Sequence, residues 1–240
     1  MVDKIVEVSK TDIAGDEIEG AELQVIDDDG NVVDEWTSTK EAHKVTGLEE
    51  GKTYKLIEKT APYGYELSEE IEFTVSFEKD TQKIEMKDMP ILKDIKLIKI
   101  DSKTKETIKL DFSFGIYEDE ECTKLIKEVH SNKEDGTILF EDLRYGTYFI
   151  KEIQAPNDYM KSDKVTKVEI NDKGVFINDN LVEENADGVY TFEFENERIE
   201  TPSTGDNSNI GLWATIFALS LVSALEIGVY EYKKRKLVRK

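Results

Sequence analysis

With a single cysteine, Cys122, in 240 residues, the chain cannot close an intramolecular disulfide. An extracellular form of it therefore needs another kind of staple. Histidine is nearly absent: His43 and His130 stand alone and read as surface strand or turn residues. No metal-type spacing of His, Cys and Asp occurs, no nucleophile elbow and no phosphate loop, so the sequence offers no metal, no cofactor and no enzyme active site. Proline (four) and glycine (fourteen) are sparse beside 38% hydrophobic residues, which excludes a low-complexity tether and calls for folded domains. Positive charge is scarce too: 32 Lys and Arg face 53 Asp and Glu, a formal net charge of −21. Such a surface repels phosphate backbones and excludes nucleic acid as a partner. Met1 to Val8 has no basic start followed by an apolar run, so an export signal is expected upstream of this sequence.

The sequence contains one long apolar run. Ile210 to Tyr230 carries a single charge, Glu226, and as a helix reaches about 31 Å at roughly 1.5 Å per residue, enough to span a bilayer core. Lys233 to Lys236 with Arg239 and Lys240 form a basic tail that holds its end in the cytoplasm, leaving the acidic body outside. Glu226 lies near that inner end, within reach of the interface. Just ahead stands Thr201-Pro202-Ser203-Thr204-Gly205. Motif, apolar span and basic tail in this order resemble the sorting signal of Gram-positive wall proteins, with Thr201 in place of the usual Leu of LPxTG. The resemblance implies that sortase cleaves between Thr204 and Gly205 and passes the Thr204 carboxyl to an amine of peptidoglycan or a pilus subunit.

Residues 5 to 196 contain two unequal repeats with period-2 strands and no helical period. Both open on a strand ending in Lys-x-Asp, Lys10-Thr11-Asp12 and Lys99-Ile100-Asp101. Both later show a Tyr-rich strand, a Glu and an Ala-Pro corner: Thr53, Tyr54, Glu58, Ala61, Pro62, Gly64 and Tyr65, then Thr147, Tyr148, Glu152, Ala155, Pro156, Asp158 and Tyr159. Each closes on a strand reaching a carboxyl or amide, Lys83 to Asp88 and Tyr190 to Asn196. Turn signals at Asp27 to Asn31, Glu134 to Gly136 and Asn171 to Gly174 give the spacing of a β-sandwich. The second repeat is longer by Val165 to Val189, which reads as a hairpin insertion.

These marks resemble the Cna-B-type, SpaA-like domains of prealbumin-like fold in Gram-positive adhesins and pilins. The expected architecture is all-β: sandwiches over 4–90 and 93–199, a linker with the sorting motif over 200–209, a transmembrane helix over 210–230 and a basic tail over 231–240. The resemblance implies a spontaneous amide in each sandwich, joining Lys10 to Asp88 with Glu58 assisting, and Lys99 to Asn196 with Glu152 assisting. Asp80 and Glu85 are alternative partners in the first repeat. In the second, Asp158 stands where Gly64 stands in the first. Glycine at such a corner supplies positive φ, so Asp158 is expected to disturb the turn and with it Glu152.

The residue types suit the chemistry. A lysine attacks only as the free amine, and burial disfavours its ammonium; burial likewise favours a protonated Glu that polarises the target carbonyl and relays protons. Water leaves from Asp88 and ammonia from Asn196, in a single-turnover self-modification rather than enzyme catalysis. Three functional readings follow: a structural stalk of adhesin or minor pilin type, an adhesin module that itself binds a host protein or glycan, and the C-terminal stalk of a larger surface enzyme. The lysine-containing polymerisation motif of a shaft pilin does not occur. Trp36, Tyr63 and Tyr65 form either a ligand patch or sandwich packing. All three readings place the protein at the cell surface, anchored in the wall, with the membrane as an intermediate station.

Overall fold

The structure is a computed structural model and describes residues 5–76, 78 and 81–200. The sorting motif Thr201 to Gly205, the apolar span and the basic tail lie outside the described residues, as does Asp80. The described chain is all β-structure. Among the described residues no helix is long and apolar enough to cross a membrane.

The first repeat builds seven strands: β1 (Ile5–Asp12), β2 (Glu22–Ile26), β3 (Val32–Thr37), β4 (His43–Val45), β5 (Thr53–Thr60), β6 (Ile71–Thr74) and β7 (Thr81–Asp88). They form two sheets, β4-β1-β7 and β3-β2-β5-β6. The second repeat builds β8 (Lys93–Asp101), β9 (Ser113–Tyr117), β10 (Leu125–His130), β11 (Thr137–Leu143), β12 (Gly146–Gln154), β13 (Val165–Asn171), β14 (Gly174–Ile177), β15 (Asn180–Val182) and β16 (Val189–Asn196). Its sheets run β11-β8-β16 and β10-β9-β12-β13-β14-β15. Strand alternation sends Val6, Val8, Leu23, Val25, Leu56 and Met86 into one core, and Ile95, Leu97, Phe114, Ile116, Ile150 and Phe194 into the other. Each core lies between the inner faces of two sheets, as sandwich packing requires.

In both sandwiches the first and last strands are parallel neighbours. β7 runs beside β1 with Lys10 opposite Met86 and Asp12 opposite Asp88. β16 runs beside β8 with Lys99 opposite Phe194 and Asp101 opposite Asn196. The register is the same: each target residue lies two positions beyond the partner of its lysine.

The extra length of the second repeat is distributed differently from the hairpin insertion read in the sequence. β13 pairs with β12 as β6 pairs with β5, so it belongs to the common sandwich. Only β14 and β15 are additional, continuing the sheet as a meander. Asn178 and Asp179 join them with φ of 48° and 64°, the left-handed pair that a tight two-residue hairpin needs.

Four residues separate β7 from β8, and they are tied down. Glu66 N donates to Met89 O at 2.9 Å, and Ile91 N donates to Gly64 O at 2.9 Å. The Ala-Pro corner thus clamps the chain as it leaves the first sandwich. The second corner repeats the clamp, with Met160 N on Glu197 O and Ile199 N on Asp158 O, both at 2.8 Å.

Candidate functional site

Alternation decides which polar side chains enter the cores. On β1 the inward row is Val6, Val8, Lys10; on β5 it is Tyr54, Leu56, Glu58; on β7 it ends at Met86 and Asp88. Lysine and glutamate therefore come from opposite sheets and meet between them, and the parallel last strand brings the aspartate alongside. β8, β12 and β16 do the same with Lys99, Glu152 and Asn196. All six are buried, at most 4% exposed. That excludes the ordinary place of a strand lysine in solvent.

In the first core Lys10 Nζ contacts Asp88 Oδ1 and lies 2.8 Å from Glu58 Oε1. That carboxylate oxygen is close enough for an ion pair but outside hydrogen-bond geometry, and Asp88 Oδ2 is buried with no partner among the described residues. The other Glu58 oxygen, Oε2, accepts from Ser68 N at 2.6 Å. Burial pushes the Glu58 carboxyl up, with Lys10 and the Ser68 amide pulling the other way. The alternative partner Glu85 accepts from the Thr11 hydroxyl at 3.1 Å instead.

In the second core Lys99 Nζ donates to Glu152 Oε1 at 2.5 Å and to Asn196 Oδ1 at 2.7 Å. Asn196 Nδ2 donates to Glu152 Oε1 and Oε2 at 2.9 and 3.1 Å, and to Met160 O at 2.9 Å. The remaining contact matches the first core: Ser162 N donates to Glu152 Oε2 at 2.7 Å. Glu152 therefore touches the amine and the amide nitrogen together, where a carboxyl group can move a proton from one to the other. Burial brings the Lys99 ammonium down to about 8, against the hydrogen bond and charge of Glu152.

The expected disturbance at Asp158 is not found. Asp158 has φ of 66° where Gly64 has 84°, and the turns match, Tyr159 N on Pro156 O and Tyr65 N on Pro62 O at 3.1 Å each. Aspartate is among the few residues with a side chain that enter the left-handed region readily, so the corner and Glu152 keep their places. The aspartates of the two Lys-x-Asp marks serve turns rather than the site. Asp12 Oδ1 accepts from Ala14 N at 2.8 Å, and Asp101 Oδ1 from Lys103 N and Thr104 N at 2.8 and 3.0 Å.

Three contacts escaped the sequence reading, those of Ser68 and Ser162 with the glutamates and that of the Met160 carbonyl with Asn196. The serines had a signal, since each follows its glutamate by ten residues. The carbonyl had none, because every residue has one. Of the aromatic residues weighed as a ligand patch, Trp36 stacks on His43 at 4.1 Å, while Tyr63 meets Tyr145 edge-on at 5.2 Å and is still 68% exposed. His43 Nε2 also lies 2.9 Å from Asp34 Oδ2 on β3 of the other sheet.

Two sandwiches with parallel first and last strands and a buried Lys-Glu-Asp/Asn cluster in each define a class of tandem prealbumin-like domains. The family model of the SpaA prealbumin-like fold domain matches residues 4–90 and 93–185, and the chain belongs to this family. Among solved structures it is similar to the Bacillus anthracis TIE protein, at 22% identity and a TM-score of 0.63 over 82% of this chain. It spans 34% of that protein's length. It is also similar to a C-terminal fragment of the pilus adhesin SpaC from Lactobacillus rhamnosus GG, at 12% identity and a TM-score of 0.55, covering 83% of this chain and 98% of that one. At these identities the likeness is one of fold. No curated protein matches the chain.

Proposed function

We propose that the chain is the wall-anchored stalk region of a Gram-positive surface protein of adhesin or minor pilin type, with each sandwich locked by an autocatalytic isopeptide bond. The observation that carries this reading is the burial, twice and in the same register, of a lysine against an acid and an Asp or Asn. A buried ion pair of this kind is a poor source of stability by itself, since desolvation of the charges consumes most of their attraction. Condensation removes the charges. In the first core the Nζ–Cγ bond forms, the Asp88 Cγ–O bond breaks and water leaves; in the second the Asn196 Cγ–Nδ2 bond breaks and ammonia leaves, its third hydrogen coming from Nζ by way of Glu152. The fold supplies the acceleration by holding amine and acyl group in contact.

The positions of the bonds suit a stalk. Force entering β1 at Ile5 runs to Lys10, crosses to Asp88 and leaves at the end of the parallel strand, so the strands between are bypassed. Closing loops with sequence separations of 78 and 97 residues also stabilises each domain by roughly 4 to 5 kcal/mol in the chain-entropy account. The family membership and a neighbour named as a pilus adhesin fit a surface appendage. Sortase attachment at Thr204-Gly205 rests on the sequence motif, the apolar span and the basic tail.

Intact mass tests the proposal. The wild-type chain is expected to weigh one water plus one ammonia less than its sequence, and a Glu58→Ala, Glu152→Ala double variant the full mass. A wild-type chain of full mass overturns the bonds. For the anchor, Thr204→Ala is expected to abolish covalent retention in the wall; undiminished retention counts against it.

A further inference from the structure

We propose that Ser68 is a positioning residue for the first bond, its hydroxyl holding the Asp88 oxygen that departs as water. The inference rests on the isopeptide reading and goes beyond it, because the lysine, acid and target by themselves do not require this serine.

Ser68 is half-buried at the edge of the first core. Its Oγ lies 2.5 Å from Asp88 Oδ1, 2.7 Å from Lys87 O and 3.5 Å from Lys10 Nζ. A hydroxyl has one proton to donate and lone pairs to accept with. Lys87 O can only accept, so it takes the serine proton. The short contact to Asp88 is then a hydrogen bond only if the proton lies on Asp88 Oδ1 and Ser68 accepts it. The chain runs Asp88 O–H to Ser68 Oγ–H to Lys87 O, and it selects the carboxylic acid form of Asp88. Asp88 Oδ2, without a partner among the described residues, agrees with this. A carboxylate would bury half a charge there without a donor, whereas the carbonyl oxygen of an acid tolerates the position at far less cost.

The acid form is the one condensation needs. The Lys10 ammonium gives one proton to Asp88 and becomes the free amine; Nζ then bonds Cγ, Oδ1 departs with its own hydrogen plus one from Nζ, and Oδ2 becomes the amide oxygen. The serine is unchanged at the end. It fixes which oxygen leaves and keeps that oxygen's proton in place during attack.

The second core does this differently. Asn196 Nδ2, the departing group, is held by Glu152 and by Met160 O. The Ser162 hydroxyl turns away and accepts from Lys164 N at 3.2 Å. Both serines give their amide N–H to the glutamate, but only Ser68 has its hydroxyl in contact with the target.

The test follows both bonds in one molecule. The full chain is made by cell-free translation with detergent, synthesis is stopped, and samples are denatured at intervals and digested with trypsin. The joined peptides containing Lys10 with Asp88 and Lys99 with Asn196 are then quantified. Ser68→Ala is expected to slow the first bond about tenfold or more, the loss of roughly one hydrogen bond to the reacting group. The second bond serves as the internal control and keeps its rate. Ser68→Thr, which keeps the hydroxyl, is expected to restore the first bond. Wild-type speed in Ser68→Ala overturns the role of the serine, as does Ser68→Thr no faster than Ser68→Ala. Absence of both joined peptides from the wild type is a different result, and overturns the isopeptide reading itself.

Discussion

The two cores place the same triad in different linings. Opposite Lys10 stands Met86 and opposite Glu58 stands Leu23; the same register positions beside Lys99 and Glu152 hold Phe194 and Phe114. Lys99 Nζ lies 4.2 Å from the Phe194 ring centre, 4.6 Å from Phe114 and 5.6 Å from Phe112. Three aromatic faces stabilise an ammonium that the first core, with Met86 and Leu23 at the matching positions, leaves to its carboxyls. The charge count differs as well. The second triad has one cation, one acid and a neutral amide, whereas the first has one cation and two acids, so it must hold an additional proton to be neutral. The comparison teaches that one backbone register sets a buried lysine against two different targets, a carboxyl and an amide, in two different linings.

The largest expected effect separates the domains outright. Glu58→Ala alone is expected to retain only the loss of ammonia, and Glu152→Ala alone only the loss of water, with the unjoined domain less stable by roughly 4 to 5 kcal/mol in denaturant unfolding. Either single variant suppressing both bonds breaks the independence of the two cores.

The next is pH dependence. With the Lys99 ammonium at about 8, the second bond is expected to form about tenfold more slowly for each pH unit below that value and to level off above it. The sign follows from burial, which lowers the lysine from its ordinary 10.5 and so favours the attacking free amine as pH rises toward 8. Before joining, the same shift makes the folded second domain less stable below 8 than above 10.5. A flat rate between pH 6 and 8 contradicts it.

A smaller effect sharpens the contrast in linings. Phe194→Met gives the second core the first core's residue and removes about 1 kcal/mol of ammonium stabilisation, so the midpoint of that pH profile is expected to fall by up to about one unit. An unchanged midpoint would show that the rings pack without acting on the charge.

The smallest concerns the corners. Measured by denaturation in the bond-free double variant, Gly64→Asp is expected to cost the first domain about 1 kcal/mol through its positive φ. A Cβ at Gly64 meets Tyr145 Cβ at 3.4 Å, an ordinary van der Waals contact, so the cost comes from the backbone. Asp158→Gly is expected to change the second domain by less than about 1 kcal/mol, the relief of φ being offset by a freer unfolded chain.

Much of this was legible in the sequence. The inward row Ile95, Leu97, Lys99 sets the lysine in phase with core residues, and the duplicated marks around Glu58 and Glu152 give the acid. The serine ten residues beyond each glutamate is a duplicated mark as well. The partner in the first domain was not legible, because Asp88 and Glu85 share one strand, and Asp80 just precedes it. Only the placement of that strand against β1 separates Asp88, in the core, from Glu85, on Thr11. Nor was the left-handed fit of Asp158, since whether an aspartate enters that region depends on the turn around it.

Alternation, turn residues and charge by themselves determined that this chain is a pair of acidic β-domains with lysine on an inward phase, because strand period is local and readable over a few residues. Tertiary structure decided which acid meets which amine, which oxygen Ser68 holds and which carbonyl orients Asn196. Those contacts join residues 78 and 97 positions apart on the parallel first and last strands of one sheet, and only the order and register of the strands bring them into contact.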